Sequence, residues 1–202
     1  MDDLLVLCPN RRWQAVIEVF LERTRHLGIR EVSVAVKAVP MGGSRFLLET
    51  GSEIAALNRD RYHHCLVMLD ADQCGDEREP HEIETAINGA LSARWQHHAK
   101  SIVADPSIEG WLLEGHRVFS RLPGLRGVDL RRWLSDSGLW PNEHEQPDQP
   151  RHALKSLFKA HDVRLSAANY RIIAREFPFR FDRIEADSFR RFINQLRDWF
   201  RG

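Results

Sequence analysis

The sequence predicts an α/β fold: a parallel sheet of about four strands flanked by helices, then a helical C-terminal extension. Three observations predict it. Short continuous apolar runs at Leu4–Cys8 and Cys65–Leu69 have the pattern of buried strands, and Val32–Val39 and Ser101–Ala104 read as two more strands. Segments with helical spacing separate them, which favours βαβ units with crossover helices. Beyond residue 115 the strand pattern disappears and helical spacing continues to the end.

Taken in order, Leu4–Cys8 is the first strand, and Pro9-Asn10 punctuates it. Trp13, Val16, Ile17, Phe20 and Leu21 follow at i, i+3, i+4, i+7 and i+8, one face of an amphipathic helix. Gly28 marks its expected end. Val32–Val39 carries β-branched Val32, Val34 and Val36 and predicts the second strand; Pro40 and Gly42-Gly43 break it. Phe46–Leu57 predicts a helix. Cys65–Leu69 is the third strand and runs into Asp70-Ala71-Asp72. After the polar loop Gln73–Glu79, Pro80 opens a helix bearing Ile83, Ile87 and Leu91. Ser101–Ala104 is the fourth strand. Asp105, as N-cap, and Pro106 open a helix through Ile108, Trp111 and Leu112. Residues 116–136 predict short helices, and Trp140–Pro150 an exposed linker. In the last helix Phe189, Phe192, Ile193, Leu196 and Phe200 share a face, with Asp187 or Ser188 as N-cap. The expected division is an α/β domain over 1–140 and a helical extension over 151–202.

The chain has 202 residues, 43% of them hydrophobic, enough to bury a core without disulfides or structural metals. Lys+Arg and Asp+Glu each total 29, which excludes a polybasic tail protein. The charge is uneven: residues 151–202 hold 12 basic and 6 acidic residues, a net +6 against −6 for the rest. Three cysteines, Cys8, Cys65 and Cys74, have no framework spacing and fit thiols in a reducing cytoplasm. The acidic start Met1-Asp2-Asp3 and the short apolar run after it do not make a signal peptide. No apolar stretch approaches the ~20 residues of a membrane span.

Asp70 and Asp72 are the sharpest chemical feature. In extended geometry residues i and i+2 point to one face, and open parallel sheets bind ligands at the carboxyl ends of their strands. Two carboxylates there suit Mg²⁺ or Mn²⁺; they equally suit a chain turn. Glu109, in the first turn after the fourth strand, would bring a third carboxylate to a neighbouring strand end, as metal-assisted phosphodiester chemistry needs. Zinc is disfavoured, because His63-His64-Cys65 with Cys74 matches no zinc spacing. Gly42-Gly43-Ser44 lacks the Gly-Lys-Ser/Thr of a P-loop. Arg183, Arg190, Arg191, Arg197 and Arg201 flank the last helix face. They read as a solvated or salt-bridged surface, or as contacts to nucleic acid or an acidic partner, with Arg190, Arg191 and Arg197 as the binding candidates.

Together these segments resemble the TOPRIM-like domain of topoisomerases, primases and overcoming-lysogenization-defect nucleases. The nearest likeness is to an uncharacterised TOPRIM-like family of small bacterial proteins, often encoded beside an AAA- or ABC-type ATPase. The likeness rests on Leu4–Leu27, Asp70-Ala71-Asp72, Ile108-Glu109-Gly110-Trp111-Leu112-Leu113 and Ser188-Phe189-Arg190-Arg191-Phe192-Ile193. It implies a metal cradle of Asp70, Asp72 and Glu109. It also implies a Glu-Gly pair at the end of the first strand, whose Glu serves as the acid–base group; here those positions are Cys8-Pro9. A thiol does not replace a carboxylate as hard-metal ligand or proton shuttle.

Three readings follow. The first is a degenerate TOPRIM-like subunit of a prokaryotic anti-phage defence system, binding nucleic acid or a partner ATPase. The second is a Mg²⁺-dependent nuclease cleaving DNA or RNA phosphodiesters. The third, with no fingerprint in its favour, is a small-molecule α/β enzyme. The absent Glu, the charge asymmetry and the helical tail favour the first.

Overall fold

The computed structural model describes residues 1–178 and 184–202; Arg183 lies outside the described residues. Four parallel strands form one sheet: β1 (Asp2–Cys8), β2 (Val34–Ala38), β3 (Tyr62–Asp70) and β4 (Ala99–Ala104), in the order β2-β1-β3-β4. In register, Leu5 of β1 stands between Ala35 of β2 and Cys65 of β3. Asp70 pairs with Ala104 of β4. From β1 the chain goes outward to β2, then returns past β1 to β3. The carboxyl ends of β1 and β3 therefore flank the topological switch point, where such sheets bind ligands.

The apolar runs of β1 and β3 are buried on both faces, as uninterrupted hydrophobic strands require, whereas the edge strand β2 is only half-buried. Leu4, Val6, Cys8, Leu66 and Met68 join one core; Leu5, Leu7, Cys65, Val67 and Leu69 join the other. The second core holds α3 (Gly43–Ala56) and α4 (Pro80–Trp95), through Leu47, Ala55, Ile83, Ile87 and Leu91. The first holds α1 (Arg11–Leu21), α2 (Thr24–Leu27), α5 (Ile108–Glu114) and α6 (Leu130–Asp136). It also holds the tail helices α7 (Pro150–Ala160), α8 (Ala167–Glu176) and α9 (Asp187–Phe200). The helical extension is thus continuous with the core of the α/β unit. Leu154, Ile173 and Phe192 belong to the same apolar cluster as Val6 and Met68.

Local chemistry explains the element ends. The Asn10 side chain accepts from the Arg12 and Trp13 N–H groups and starts α1. Gly28 takes φ +72°, the left-handed turn after α2. Gly42, at φ +81°, opens α3, and a Cβ there would meet Phe46 Cβ at 2.4 Å. Two expected caps are corrected. Ser107, not Asp105, precedes α5; the first N–H of that helix, on Ile108, donates to the Asp70 carboxylate at 2.9 Å. Asp105 is exposed two residues earlier. α9 begins at Asp187 after Ala186 with no side-chain cap. Ser188 is buried within it and accepts from the Trp111 indole N–H at 2.8 Å. The first helical stretch also divides into α1 and α2 rather than running to Gly28.

Candidate functional site

Asp70 is the last residue of β3 and is 1% exposed. Its backbone N–H donates to Ser44 Oγ on α3 at 2.9 Å. Its carboxylate accepts from the Trp13 indole N–H on α1 and from Ile108 N–H on α5, each at 2.9 Å. Three helices thereby hold this one residue at the strand end, two through its carboxylate and one through its backbone. β3 stops at Asp70, so Asp72 does not share a face with it through extended geometry. Asp72 sits in the single 3₁₀ turn Ala71–Gln73, and its N–H donates to Pro106 O at 3.0 Å. The turn nonetheless brings the two carboxylates to one centre. Glu109, in the first turn of α5, is 2% exposed and accepts from the Tyr170 hydroxyl of α8 at 2.7 Å.

A guanidinium stands at that centre. Arg151 Nη2 lies 2.8 Å from Asp70 Oδ2, 3.3 Å from Asp72 Oδ1 and 3.4 Å from Glu109 Oε2. The structure thus brings together all three carboxylates expected as metal ligands, around a cation supplied by the chain itself. The donor chemistry, hard carboxylate oxygens, is right for a divalent ion. The place is held by Arg151, and among the described residues no group of three or more His, Cys, Asp or Glu side chains is arranged to hold a metal. With Arg151 seated, the site does not fit a metal ion.

The electrostatics follow from burial and this pairing. Burial raises the Asp70 carboxyl above its ordinary pKa; Arg151 opposes this and Glu109 adds to it. Burial likewise pushes Asp72 up to about 6, with Arg151 again opposing. For Arg151, burial works downward, but Asp70, Glu109 and Asp72 outweigh it and hold the guanidinium above its usual value. Tyr170 is raised well above 10 by burial and by Glu109, so it acts as a hydrogen-bond donor.

Cys8 ends β1 at the same edge of the sheet. It is buried, its thiol contacts the carbonyls of Lys37 and Asn10 at 3.6 and 3.8 Å, and burial pushes its pKa up to about 12. Such a thiol is neither a nucleophile nor a base at neutral pH. Glu18 does not take its place; it pairs with Arg171 of α8.

Much of the basic tail is turned inward or paired. Arg191 binds Glu84 at 2.8 Å and also Asp187. Arg197 Nε donates to Leu27 O at 2.7 Å. Arg190 is more exposed, 3.6 Å from Asp187. The charge asymmetry between tail and body is therefore used within the fold, in Arg151–Asp70, Arg171–Glu18 and Arg191–Glu84.

Sequence reasoning missed Arg151, Tyr170, Trp13 and Ser44. Only Arg151 left a signal. It follows Pro150 in the first turn of α7, where the helix dipole disfavours a cation. A basic residue placed there points to an acidic partner elsewhere in the chain.

Comparison with protein-family models, with curated proteins and with solved structures found no match.

Proposed function

We propose that this chain is a degenerate TOPRIM-like module: a non-catalytic subunit of a prokaryotic anti-phage defence complex that binds nucleic acid or a partner ATPase. The observation that carries the non-catalytic part is Arg151 Nη2 within 3.4 Å of Asp70, Asp72 and Glu109 together. A guanidinium gives such a cradle one positive charge and ties its three carboxylates together. It cannot supply what a divalent ion supplies, polarisation of a phosphate oxygen and a water of lowered pKa. The neutral, buried Cys8 thiol at the position of the acid–base group supports the same reading. The defence setting and the ATPase partner come from the family resemblance.

The second reading is a Mg²⁺- or Mn²⁺-dependent nuclease in which Asp70, Asp72 and Glu109 receive the ion once Arg151 has swung out. Its support is Glu109 Oε2, which is buried and lacks a hydrogen-bond partner. Calorimetric titration with Mg²⁺ and Mn²⁺, alongside plasmid nicking, separates the two. The proteins are the wild type, Asp70→Ala/Asp72→Ala and Arg151→Gln. The non-catalytic reading expects no metal uptake and no nicking by the wild type. Metal uptake and nicking by the wild type, both lost in Asp70→Ala/Asp72→Ala, would establish the nuclease instead.

A further inference from the structure

Residues 116–132 carry five arginines and one acidic residue, in a chain whose basic and acidic residues balance at 29 each. The segment comprises a 3₁₀ stretch, His116–Arg121, a loop, and the start of α6. Its apolar side chains, Phe119, Leu122, Leu125 and Leu130, are buried in the first core. The ribbon is thus anchored from beneath. Arg117, Arg121, Arg126 and Arg132 are left on the outer side, all exposed.

These guanidiniums differ from those of the tail. Among the described residues, the side chains of Arg117, Arg121 and Arg126 have neither a hydrogen bond nor an ion pair. Arg132 has only a long contact, 3.7 Å, to Asp136. Arg117 and Arg132 border an open groove of about 750 Å³ that runs between His116 and Asn142. The acidic Asp129 on its wall caps α6, accepting from Arg132 N–H at 3.1 Å.

We propose that this ribbon is a nucleic-acid-binding surface that grips the phosphodiester backbone without reading sequence. Several free guanidiniums along one anchored segment match a repeating polyanion better than a single anion. Each planar fork suits two phosphate oxygens, and backbone contacts position a strand without specifying bases. The surface lies outside the carboxylate centre and stands on the free arginines, not on Arg151. It names nucleic acid as a ligand of the module proposed above.

The test is fluorescence anisotropy with labelled duplex DNA, single-stranded DNA and single-stranded RNA, at several salt concentrations. The proteins are the wild type, Arg117→Gln/Arg121→Gln/Arg126→Gln, and the matching triple Lys variant. Three phosphate contacts on duplex DNA give a log–log salt slope of about −2.7, an affinity loss of about 40-fold between 50 and 200 mM salt. The triple Gln variant loses that slope and at least about 10-fold in affinity at low salt; the triple Lys variant retains binding. If the triple Gln protein does not fold, single Gln variants carry the test, each lowering the slope by about 0.9. The three probes show which nucleic acid is preferred. No binding to any probe, or an unchanged triple Gln variant, would each overturn the proposal. Metal-dependent nicking by the wild type would overturn the non-catalytic reading and leave this surface intact.

Discussion

Arg151 and Asp70 lie 2.8 Å apart and join two parts of the chain that the sequence sets 81 positions apart. One opens the first tail helix; the other ends the third strand. Asp70 is nearly inaccessible, and Glu109 beside it is equally so. The pair therefore locks the helical extension onto the carboxyl end of the sheet.

Removing the cation leaves buried carboxylates without a counter-ion. Arg151→Met is expected to destabilise the protein by about 3–5 kcal/mol in urea unfolding. Asp70→Asn/Arg151→Met should recover part of that loss, with a coupling of about 1–3 kcal/mol in the double-mutant cycle. Strict additivity of the two single changes would show that the pair is not a unit.

Tyr170→Phe removes the hydrogen bond to Glu109 Oε1 and nothing else at that point. A bond to a charged group in a buried site contributes about 1.5–3 kcal/mol, so a loss of that size is expected in chemical denaturation. A change under about 0.5 kcal/mol, the range of ordinary surface substitutions, would mean that Tyr170 does not hold Glu109 in solution.

His64 gives the fold a pH dependence away from the site. It stacks on Trp199 at 4.5 Å, and burial, with His98 and His63 nearby, lowers its pKa from 6.5 to about 4. Below pH 6.5 the unfolded chain takes up this proton and the folded chain does not. The contribution of His64 to stability is therefore full above pH 6.5 and is lost as pH falls towards 4. Partial exposure screens the effect to about 1 kcal/mol. Thermal melts of wild type and His64→Gln should converge in their acid dependence above pH 6.5 and differ below it. Parallel curves throughout would remove His64 as the cause.

The fold was largely legible. Uninterrupted apolar runs at Leu4–Cys8 and Cys65–Leu69 can be buried only with cover on both faces, and the helices between them supply it. The helix starts were less legible. Asp105-Pro106 has the composition of a cap and first turn, yet α5 begins at Ile108. Its first N–H is satisfied by Asp70 from another strand, a partner that local sequence cannot reveal.

The candidate site divides in the same way. Asp70, Asp72 and Glu109 were visible, because carboxylates at strand ends are few and their strands are easily recognised. Arg151 was not, beyond its odd place in the first turn of α7. A salt bridge between distant positions has no periodicity and no local composition.

The sequence by itself determined the parallel α/β architecture, the amphipathic tail helices and the gathering of acidic side chains at one edge of the sheet. The first two follow from side-chain spacing, which local backbone geometry converts into faces; the third follows from the places of Asp70, Asp72 and Glu109 just at or after strand ends. Only the tertiary structure decided what those acidic groups meet. Packing α7 on α5 and α8 on α1 brought Arg151 and Tyr170 into the cradle, and packing α9 on β4 turned Arg191 and Arg197 to internal partners. That packing left Arg117, Arg121 and Arg126 without protein partners among the described residues. Which charges are paired and which stay free depends on contacts between elements far apart in the chain.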